Sequence, residues 1–538
     1  MEATISVKNL DHLGLIAGLI DELGIVSIID ELIPTDRKVS IGLMVKALIL
    51  NSMGFSQHAL YITPRFFEEC PVEHLLGSGY EASDFNDDSI GRCLDILFSY
   101  GLNKLFTRVA HKACEVAGLK EDFYHVDSTN FSVEGSYEQD DGGVKIRHGY
   151  AKDKRFDLKQ VTLGLITSYQ TAIPRYMQGF DGNASDKETL VTMIQSFVKC
   201  FEAGESIGIF IADAGIYSAD NINEGLKTVE WITRVPETIS EAKRLIEDTQ
   251  RVDLQQSTLF PDYHYKAISS RYGGVEQRWL LFHSAPLEKA VRKTYTEKAK
   301  KELEQVSQKI AKKKAYLFKE TAELENWMVQ ITEKYPLIRI AYDCIEEEYY
   351  IKRGKPMPEN LRLAQKINNV TVTINDQNLE RIIETKSRFI LTTNVLDTDR
   401  LTNEQILEAY KSQASSVENG FSFLKDPIFF AESFFVKKPS RLEGLLMIMA
   451  LSLLVYSLGE RKIRDTLKQS NDEILNQIDK PTKKPTLRMI FNLFRGIHWV
   501  ENKQDKQNYI FCTNLNDNRK KIIRLMGSNI AKYYFIDY

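Results

Sequence analysis

The chain has 538 residues, room for about three or four domains, and 43% hydrophobic with 27% charged residues is ordinary for a globular protein with a large core. A formal net charge of −4 excludes binding of polyanions through overall charge, so any nucleic-acid surface must be a local basic patch. Six scattered cysteines without a C-x-x-C pair exclude a zinc site and a disulfide framework and indicate a reduced, cytosolic protein.

The sequence gives no sign of targeting or of a membrane span. The N-terminus lacks a basic region ahead of an apolar run, so no secretory signal is predicted. The most apolar run, residues 445–458, is shorter than the ~20 residues that cross a bilayer. It is predicted to be a core helix.

Residues 1–120 are predicted to be helical throughout. Apolar residues recur at helical spacing in the stretches 13–23, 41–50 and 90–97. Several N-cap residues precede the helix that carries Arg92, which is typical of the second helix of a helix-turn-helix pair. Few side chains on that helix could read bases, so a plain structural bundle is at least as good an interpretation.

From residue 121 the pattern changes to that of an α/β domain. Strands are predicted near 123–126, 156–168, 173–180 and 207–212, and Pro174 favours a sheet edge for the third. Ser185 and Glu188 form a capping-box pair ahead of an amphipathic helix, and a second helix is expected from Ser218. Strands alternating with helices predict a layered α/β fold.

Two of the predicted strands stop at an acid. Asp127 ends the run that begins at Phe123, and Asp213 ends the run 207–212. In an open α/β sheet the functional site lies beyond strand ends, where a carboxylate faces solvent or metal. Each aspartate taken alone is as well explained by a turn or a helix cap.

A third acid lies on a helix predicted to begin at the capping box of Thr402 and Gln405. Lys411, Glu418 and Lys425 are spaced by seven and would share one stripe of that helix, beside its apolar face. A solvated ladder of ion pairs is the ordinary explanation of such a stripe. The presence of the two aspartates favours a functional explanation of the stripe instead.

Three carboxylates are the usual minimum for holding two hard divalent cations through oxygen ligands. Two such ions about 4 Å apart activate the attacking oxygen and stabilise the leaving one in a displacement at phosphorus. The ~200 residues between Asp213 and Glu418 are too many for one connection in a compact sheet, which predicts an inserted domain at 236–386.

The inserted segment has two recognisable elements. Paired glycines, Gly273 and Gly274, predict a hairpin, and Pro286 opens a long helix. Between Pro286 and Tyr316 the chain has ten Lys or Arg against four Glu. A solvated face and a contact with DNA phosphates are equally good interpretations of that excess.

The last part of the chain returns to the core. Residues 388–394 are predicted as a strand and 442–456 as a buried helix. The stretches 480–488 and 519–524 are locally basic, typical of either a second DNA contact or a soluble tail.

Three blocks together resemble a known family. The blocks His125-Val-Asp127-Ser-Thr, Ile211-Ala-Asp213-Ala-Gly-Ile and residues 410–425 are similar to those of the insertion-sequence DDE transposases. The branch with an insertion between the second aspartate and the glutamate is the IS-four-like group, and residues 149–160 resemble a further block of some members. The likeness covers about residues 10–500, with the blocks in the right order.

The resemblance implies an α/β fold with an RNase H-like catalytic core, a helical N-terminal domain and a mixed insertion domain between the second Asp and the Glu. The domains expected are 1–120, helical and a candidate for DNA binding; 121–235, the first part of the core; 236–386, the insertion with its hairpin and basic helix; 387–470, the second part of the core with the catalytic glutamate helix; and 471–538, a basic C-terminal region.

The resemblance also implies the site. Asp127, Asp213 and Glu418 would be both the catalytic residues and the ligands of two Mg²⁺ ions, with Mn²⁺ as a substitute. Around the glutamate the family has tyrosine, two residues, arginine, three residues, glutamate, six residues, lysine. The interval from Glu418 to Lys425 agrees with that signature. Upstream, Gln413 stands two residues after Tyr410, where the family has arginine, and four residues then precede Glu418.

Lys411 is the alternative source of the positive charge that the family's arginine provides. The candidate DNA-binding residues are therefore Tyr410, Lys411, Gln413 and Lys425. His125 and His148 lie near the first acid, but lone histidines near strands are more often core or rim residues and are left out of the predicted site.

The implied function is that of a bacterial, cytoplasmic transposase acting on chromosomal DNA, without a membrane partner. It would cleave double-stranded DNA at the terminal inverted repeats of its element and join the 3′-OH ends to target DNA, as a homodimer on DNA. Two alternatives remain: an RNase H-like nuclease without strand transfer, and a catalytically silent DNA-binding protein.

Overall fold

The structure is a computed structural model that describes residues 4–55, 62–120, 122–137, 140–150, 155–169, 172–201, 207–351, 357–412, 418–426, 436–504 and 507–537. The chain divides into two compact units. The first comprises Met1–Thr233, Arg271–Gln277 and Thr393–Tyr538, and the second comprises Arg234–Ser270 and Arg278–Thr392.

The regular elements are numbered along the chain. The helices are α1 (Leu13–Glu22), α2 (Ile25–Leu32), α3 (Ile41–Met53), α4 (Thr63–Glu68), α5 (Val72–Leu76), α6 (Asp87–Tyr100), α7 (Leu102–Val116), α8 (Asp186–Val198), α9 (Ser240–Asp248), α10 (Ala285–Lys313), α11 (Thr321–Lys334), α12 (Asp376–Lys386), α13 (Asn403–Lys411), α14 (Asn419–Leu424), α15 (Pro439–Gln469), α16 (Leu487–Leu493), α17 (Asp517–Met526) and α18 (Ser528–Ala531).

The strands are β1 (Thr4–Asn9), β2 (Phe123–Val133), β3 (Lys159–Ser168), β4 (Pro174–Phe180), β5 (Ile209–Ala212), β6 (Trp231–Arg234), β7 (Gln255–Gln256), β8 (Tyr263–Tyr272), β9 (Val275–Ser284), β10 (Ile338–Tyr350), β11 (Leu361–Ile374), β12 (Arg388–Thr393), β13 (Ile474–Leu475), β14 (Pro481–Thr482), β15 (His498–Gln504) and β16 (Gln507–Cys512).

The helical core of the first unit is built around α15, against which α3, α6, α7 and α17 pack. The predicted helices at 13–23, 41–50 and 90–97 are confirmed as α1, α3 and α6. The expectation that residues 1–120 are helical throughout is wrong at its start, because β1 pairs antiparallel with β15. The partner of β1 lies near the other end of the chain, so the pairing could not be predicted from the short β1 segment alone.

The C-terminal region is folded, which excludes the interpretation of 519–524 as a soluble tail. Ile522 and Ile523 of α17 are fully buried in the same core as α15. Arg519 donates its guanidinium N–H groups to the main-chain oxygens of Leu493 and Arg495, at 2.6 and 3.0 Å. The basic residue at the start of this stretch therefore serves the fold.

The α/β sheet of the first unit has the order β4-β3-β2-β5-β6. β2, β3 and β4 are antiparallel neighbours, whereas β5 runs parallel to both β2 and β6. Pro174 begins the edge strand β4, as its missing N–H predicts. The helix expected from Ser218 is confirmed as a short one: Ala219 and Asp220 are helical and continue into the π-helical turn Asn221–Gly225, and Asn221 N–H donates to Ser218 Oγ at 3.3 Å.

Two local features of the structure differ from the prediction. The strand predicted to stop at Asp127 continues as β2 to Val133, because the residues that follow keep alternating side-chain faces and pair with β3. The helix opened by the Ser185 and Glu188 pair forms as α8, but the Ser185 side chain makes no capping hydrogen bond.

Two parts of the helix predicted from Thr402 to Lys425 lie in the described residues. The capping box is confirmed, since Gln405 N–H donates to Thr402 Oγ1 at 3.2 Å and Thr402 N–H donates to Gln405 Oε1 at 2.8 Å. α13 ends at Lys411 with Ser412 as its C-cap, and α14 begins after Glu418. Residues 413–417, through which the predicted seven-residue stripe passes, lie outside the described residues.

Strands β12, β9, β8 and β7 follow one another in one sheet, and β10 and β11 of the second unit form a separate long hairpin. The predicted turn between β8 and β9 is confirmed. Gly273 and Gly274 both have positive φ, +58° and +75°, as a type I′ turn requires. α10 starts where predicted, and Ser284 accepts a hydrogen bond from Leu287 N–H at 3.3 Å.

Among the described residues, one helix has the length and composition of a membrane span. It is α15, but 89% of its most apolar window is buried inside the fold. This agrees with the prediction of a core helix for residues 445–458.

The N-terminus of α15 is tied to the segment after β2 by two carboxylates. Asp141 accepts hydrogen bonds from Ser440 N–H and Oγ, at 3.2 and 2.6 Å. Glu443 Oε1 accepts one from Val144 N–H at 2.5 Å. Burial raises the pKa of Glu443 to about 7, with the nearby charges of Asp141 and Asp181 acting in the same direction.

We expect stability to fall between about pH 4.5 and 7 because of Glu443. Its pKa is higher in the folded state than in the unfolded one, so its contribution is complete below pH 4.5 and is lost as the pH rises through 7. The E443Q variant should remove about 2–3 kcal/mol of the difference between pH 5 and pH 8. Urea unfolding at both pH values measures this. D465N, on the exposed side of α15, is the control; equal changes in both variants would contradict the prediction.

Candidate active site

The two predicted aspartates belong to neighbouring parallel strands: Asp127 lies on β2, and Asp213 directly follows β5. β2 and β5 pair in register, with His125 opposite Ile211 and Val126 opposite Ala212. The ladder ends there. One step further, Asp127 follows on β2 and Asp213 follows β5, with the Asp213 backbone still extended at φ −66° and ψ 168°. Adjacent strands are about 4.8 Å apart and paired residues point to the same face. The two carboxylates therefore share one face of the sheet.

A hydrogen bond holds each aspartate, through the carboxylate of Asp127 and through the main-chain oxygen of Asp213. Ser128 N–H donates to Asp127 Oδ1 at 2.7 Å, and Thr233 Oγ1 on β6 donates to the main-chain oxygen of Asp213 at 2.9 Å. Asp127 is half-buried and Asp213 is exposed. The pair is thus held by the sheet and open to solvent.

The two faces of β2 have different neighbours. Tyr124 packs against Phe197 of α8, with ring centroids 5.4 Å apart. Because side chains alternate along a strand, His125, Asp127 and Phe131 point to the opposite face. That second face is the one on which the chain around Glu418 makes its contacts.

Two contacts bracket Glu418 on this face. At the end of α13, Ser412 Oγ lies 3.0 Å from His125 Nε2. At the end of α14, Lys425 Nζ lies 5.7 Å from the centre of the Phe131 ring. His125 and Phe131 flank Asp127 on one strand, about 20 Å apart at 3.3 Å per residue. Glu418, between the two contacts in sequence and exposed, is therefore held on the same side of the sheet as the aspartates.

α14 is seated firmly despite its length of six residues. Phe421 and Leu424 are buried, as the apolar face predicted. A Cβ on Gly420 would lie 3.2 Å from Leu453 Cδ2, so α14 approaches α15 closely. Beyond its end, Asp426 forms an ion pair with Arg488 at 2.5 Å. A cavity of about 230 Å³ lies between Gly420, Tyr456 and neighbouring residues of α15.

The four candidate DNA-binding residues are only partly placed. Tyr410 is half-buried and Lys411 exposed at the end of α13, and Lys425 is exposed after α14. Gln413 lies outside the described residues. The stripe that Lys411 and Lys425 would share with Glu418 stays a prediction, since residues 413–417 between them lie outside the described residues.

His125 is the residue that sequence reasoning left out. It is fully buried, two residues before Asp127 and on the same face of β2. Burial lowers the pKa of its imidazole to about 4, so the ring is neutral at ordinary pH. A period of two along the strand was the signal that could have connected it with Asp127.

The donor set suits a hard divalent cation in part. Carboxylate oxygens are the ligands such ions prefer, and the aspartate pair offers them at an open edge. Over the residues that the structure describes, no three His, Cys, Asp or Glu side chains come close enough together to hold a metal ion. Glu418 therefore lies on the same side of the sheet as the two aspartates but does not form a three-residue metal-binding cluster with them.

Comparison with known proteins identifies the family. The family described as "Transposase DDE domain" matches residues 118–455, from just before β2 into α15 and more than half of the chain. Residues 5–111 match a family described as "Domain of unknown function (DUF4277)". No curated protein matches the sequence.

One similar solved structure is a cryo-EM structure of the piggyBac transposase synaptic complex with hairpin DNA. It is 9% identical, the match covers 92% of this chain and 82% of that one, and the TM-score is 0.36. At so low a TM-score the likeness supports no conclusion about this chain. The match of the transposase family over residues 118–455 does: the chain belongs to the DDE transposases and is an enzyme of DNA transposition.

Proposed function

We propose that this transposase cleaves DNA at the ends of its element and joins the freed 3′-OH ends to target DNA, using Asp127, Asp213 and Glu418 as its catalytic carboxylates. The observation that carries the proposal is the register of β2 and β5, which sets the two aspartates side by side. The contacts of Ser412 and Lys425 support Glu418 as the third acid.

DDE transposases use divalent metal ions, and we infer that the same three carboxylates hold two Mg²⁺ ions, for which Mn²⁺ can substitute. Bound there, the ions would activate the attacking oxygen and stabilise the leaving one. The chain's own part is positional. β2 and β5 fix the aspartates, and α13 and α14 fix the approach of Glu418.

The finer assignments follow from this site. The sheet with both aspartates on neighbouring central strands supports an RNase H-like core within 121–235 and 387–470, and the second compact unit supports an insertion at 236–386. The helical domain at 1–120, the C-terminal region at 471–538 and membership of the IS-four-like group complete the proposal.

The transposase acts on DNA, and the proposed partners are the terminal inverted repeats of its element and the target duplex. Lys425, exposed beside the Asp127 face, is the first candidate for a phosphate contact, with Tyr410, Lys411 and Gln413 next. Two element ends have to be handled together, which favours a homodimer on DNA. We place the reaction on chromosomal DNA in the bacterial cytoplasm.

The test is incubation of the protein with Mg²⁺ and a duplex carrying its element's terminal repeats, together with a supercoiled target. We expect joined products, and none with D127N. Cut but unjoined DNA would favour the nuclease alternative. Shifted but uncut DNA would favour the silent DNA-binding protein. Either of these results contradicts the proposal.

A further inference from the structure

We propose that His125 is a positioning residue. It holds the end of α13 through Ser412 and so fixes the start of the segment that brings Glu418 toward the aspartates. The proposal rests on the function proposed above. It stands on three features of the fold: the place of His125 on β2, the direction of its hydrogen bond, and the place of Ser412 at the end of a helix.

His125 lies on the Asp127 face of the central strand, where its position is rigid. β2 is paired on both sides at this residue, with Thr167 of β3 and with Ile211 of β5. The side chain is fully buried, and its ring lies 6.1 Å from that of Tyr169. A group fixed in this way can transmit the position of the sheet to whatever it binds.

The direction of the hydrogen bond follows from the other bond of Ser412. Ser412 Oγ donates its proton to the main-chain oxygen of Ala409 at 2.8 Å, so toward the imidazole it can only accept. His125 Nε2 therefore carries the proton and donates it to Ser412 Oγ at 3.0 Å. A chain of two hydrogen bonds runs from the strand to the last turn of α13.

The other ring nitrogen shows what this contact is for. His125 Nδ1 is buried and has no hydrogen-bond partner in the part of the chain that the structure describes. A leucine or phenylalanine would fill the same space without burying an unpaired nitrogen, which is unfavourable. The contact with Ser412 is what a histidine adds here.

Ser412 is the point at which this contact acts on the site. It is the C-cap of α13, and its N–H also donates to the main-chain oxygen of Glu408 at 3.1 Å. Glu418 follows six residues later in the sequence. Fixing Ser412 against β2 fixes one end of that segment two residues along the strand from Asp127.

The test uses variants of both partners of the bond. S412A and H125L remove it, whereas H125Q places an amide near the position of Nε2. S470A is the matched control, because Ser470 is the C-cap of α15 and likewise donates its hydroxyl to a main-chain oxygen of its own helix, that of Thr466. The double variant H125L/S412A shows whether the two residues act through one bond.

At saturating DNA we expect S412A and H125L to cleave about 10- to 100-fold more slowly than the wild type, the loss typical of residues that orient a catalytic ligand. The dissociation constant for DNA should stay within about twofold, since neither side chain is placed to contact DNA. H125Q should recover most of the rate, and the double variant should be no slower than the slower single variant.

Hydrogen exchange gives a readout that needs no activity. Amides of residues 403–412 should exchange faster in S412A and H125L than in the wild type. Their exchange should be unchanged in S470A, and the exchange of β2 should be unchanged in all three variants. Unchanged exchange there, or a cleavage rate equal to the wild type, overturns the positioning role. If H125L does not fold, S412A decides. A wild type that fails to cleave contradicts the proposed function instead, and the exchange data still decide the role of His125.

Discussion

Replacing Asp213 by asparagine is expected to lower the rate of strand cleavage by at least about 10³-fold while DNA binding persists. That factor corresponds to about 4 kcal/mol of transition-state stabilisation, within the range supplied by a bound divalent ion. The amide removes the charge with little change of shape. The reverse turn after β5 should survive, because Thr233 bonds the main-chain oxygen of Asp213 and not its carboxylate.

The same loss of cleavage rate is expected for D127N. The two variants test the proposed aspartate pair from each of its two strands. Ser128 N–H can still donate to the side-chain oxygen of asparagine at position 127, so the strand should keep its geometry. The matched control is D122N. Asp122 is exposed just before β2, and its main-chain oxygen accepts from Ile209 N–H, so it adjoins the same two strands at their other end.

The measurement is single-turnover cleavage of a labelled duplex, with DNA binding followed separately in the absence of divalent ions. Mn²⁺ binding by the protein alone, measured by electron paramagnetic resonance, separates a lost ligand from a damaged fold. Wild-type cleavage by either variant, or an equal loss in D122N, would mean that the facing aspartates are not the catalytic pair.

The strands beside these aspartates could be predicted from the sequence because a short apolar run precedes each aspartate. Phe123–Val126 and Ile207–Ala212 have few other interpretations, so their ends drew attention to Asp127 and Asp213. The pairing of β2 with β5 could not be predicted in the same way. Register is decided by contacts between segments distant in sequence, and only the folded sheet pairs Val126 with Ala212, the residues that precede the two aspartates.

The segment around Glu418 shows how far periodicity reaches. The spacing of apolar residues predicted a helix face that includes Phe421 and Leu424, and both are buried on α14. The shared stripe of Lys411, Glu418 and Lys425 stays a prediction, since residues 413–417 lie outside the described residues. The hydrogen bond from His125 to Ser412 could not be predicted, because it joins residues 287 positions apart.

Glu418 is the acid for which the expected effect is largest after the aspartates. We expect E418Q to slow cleavage by about 10²–10³-fold, because a neutral amide is a weaker ligand for a divalent ion than a carboxylate. E418D keeps the charge but shortens the side chain by one methylene, so it should recover part of the rate. Since Glu418 is exposed, both variants should unfold within about 0.5 kcal/mol of the wild type.

The control for Glu418 is E408Q, on α13 and on the far side of Ser412. Its expected rate is that of the wild type, because Glu408 belongs to the regular helix and not to the segment between the contacts with His125 and Phe131. Single-turnover cleavage at several Mn²⁺ concentrations is the measurement. A weakened dependence on Mn²⁺ in E418Q alone would identify the third ligand. Full activity in E418Q would instead place that ligand elsewhere on the Asp127 face, and the alignment of residues 410–425 with the family signature would be wrong.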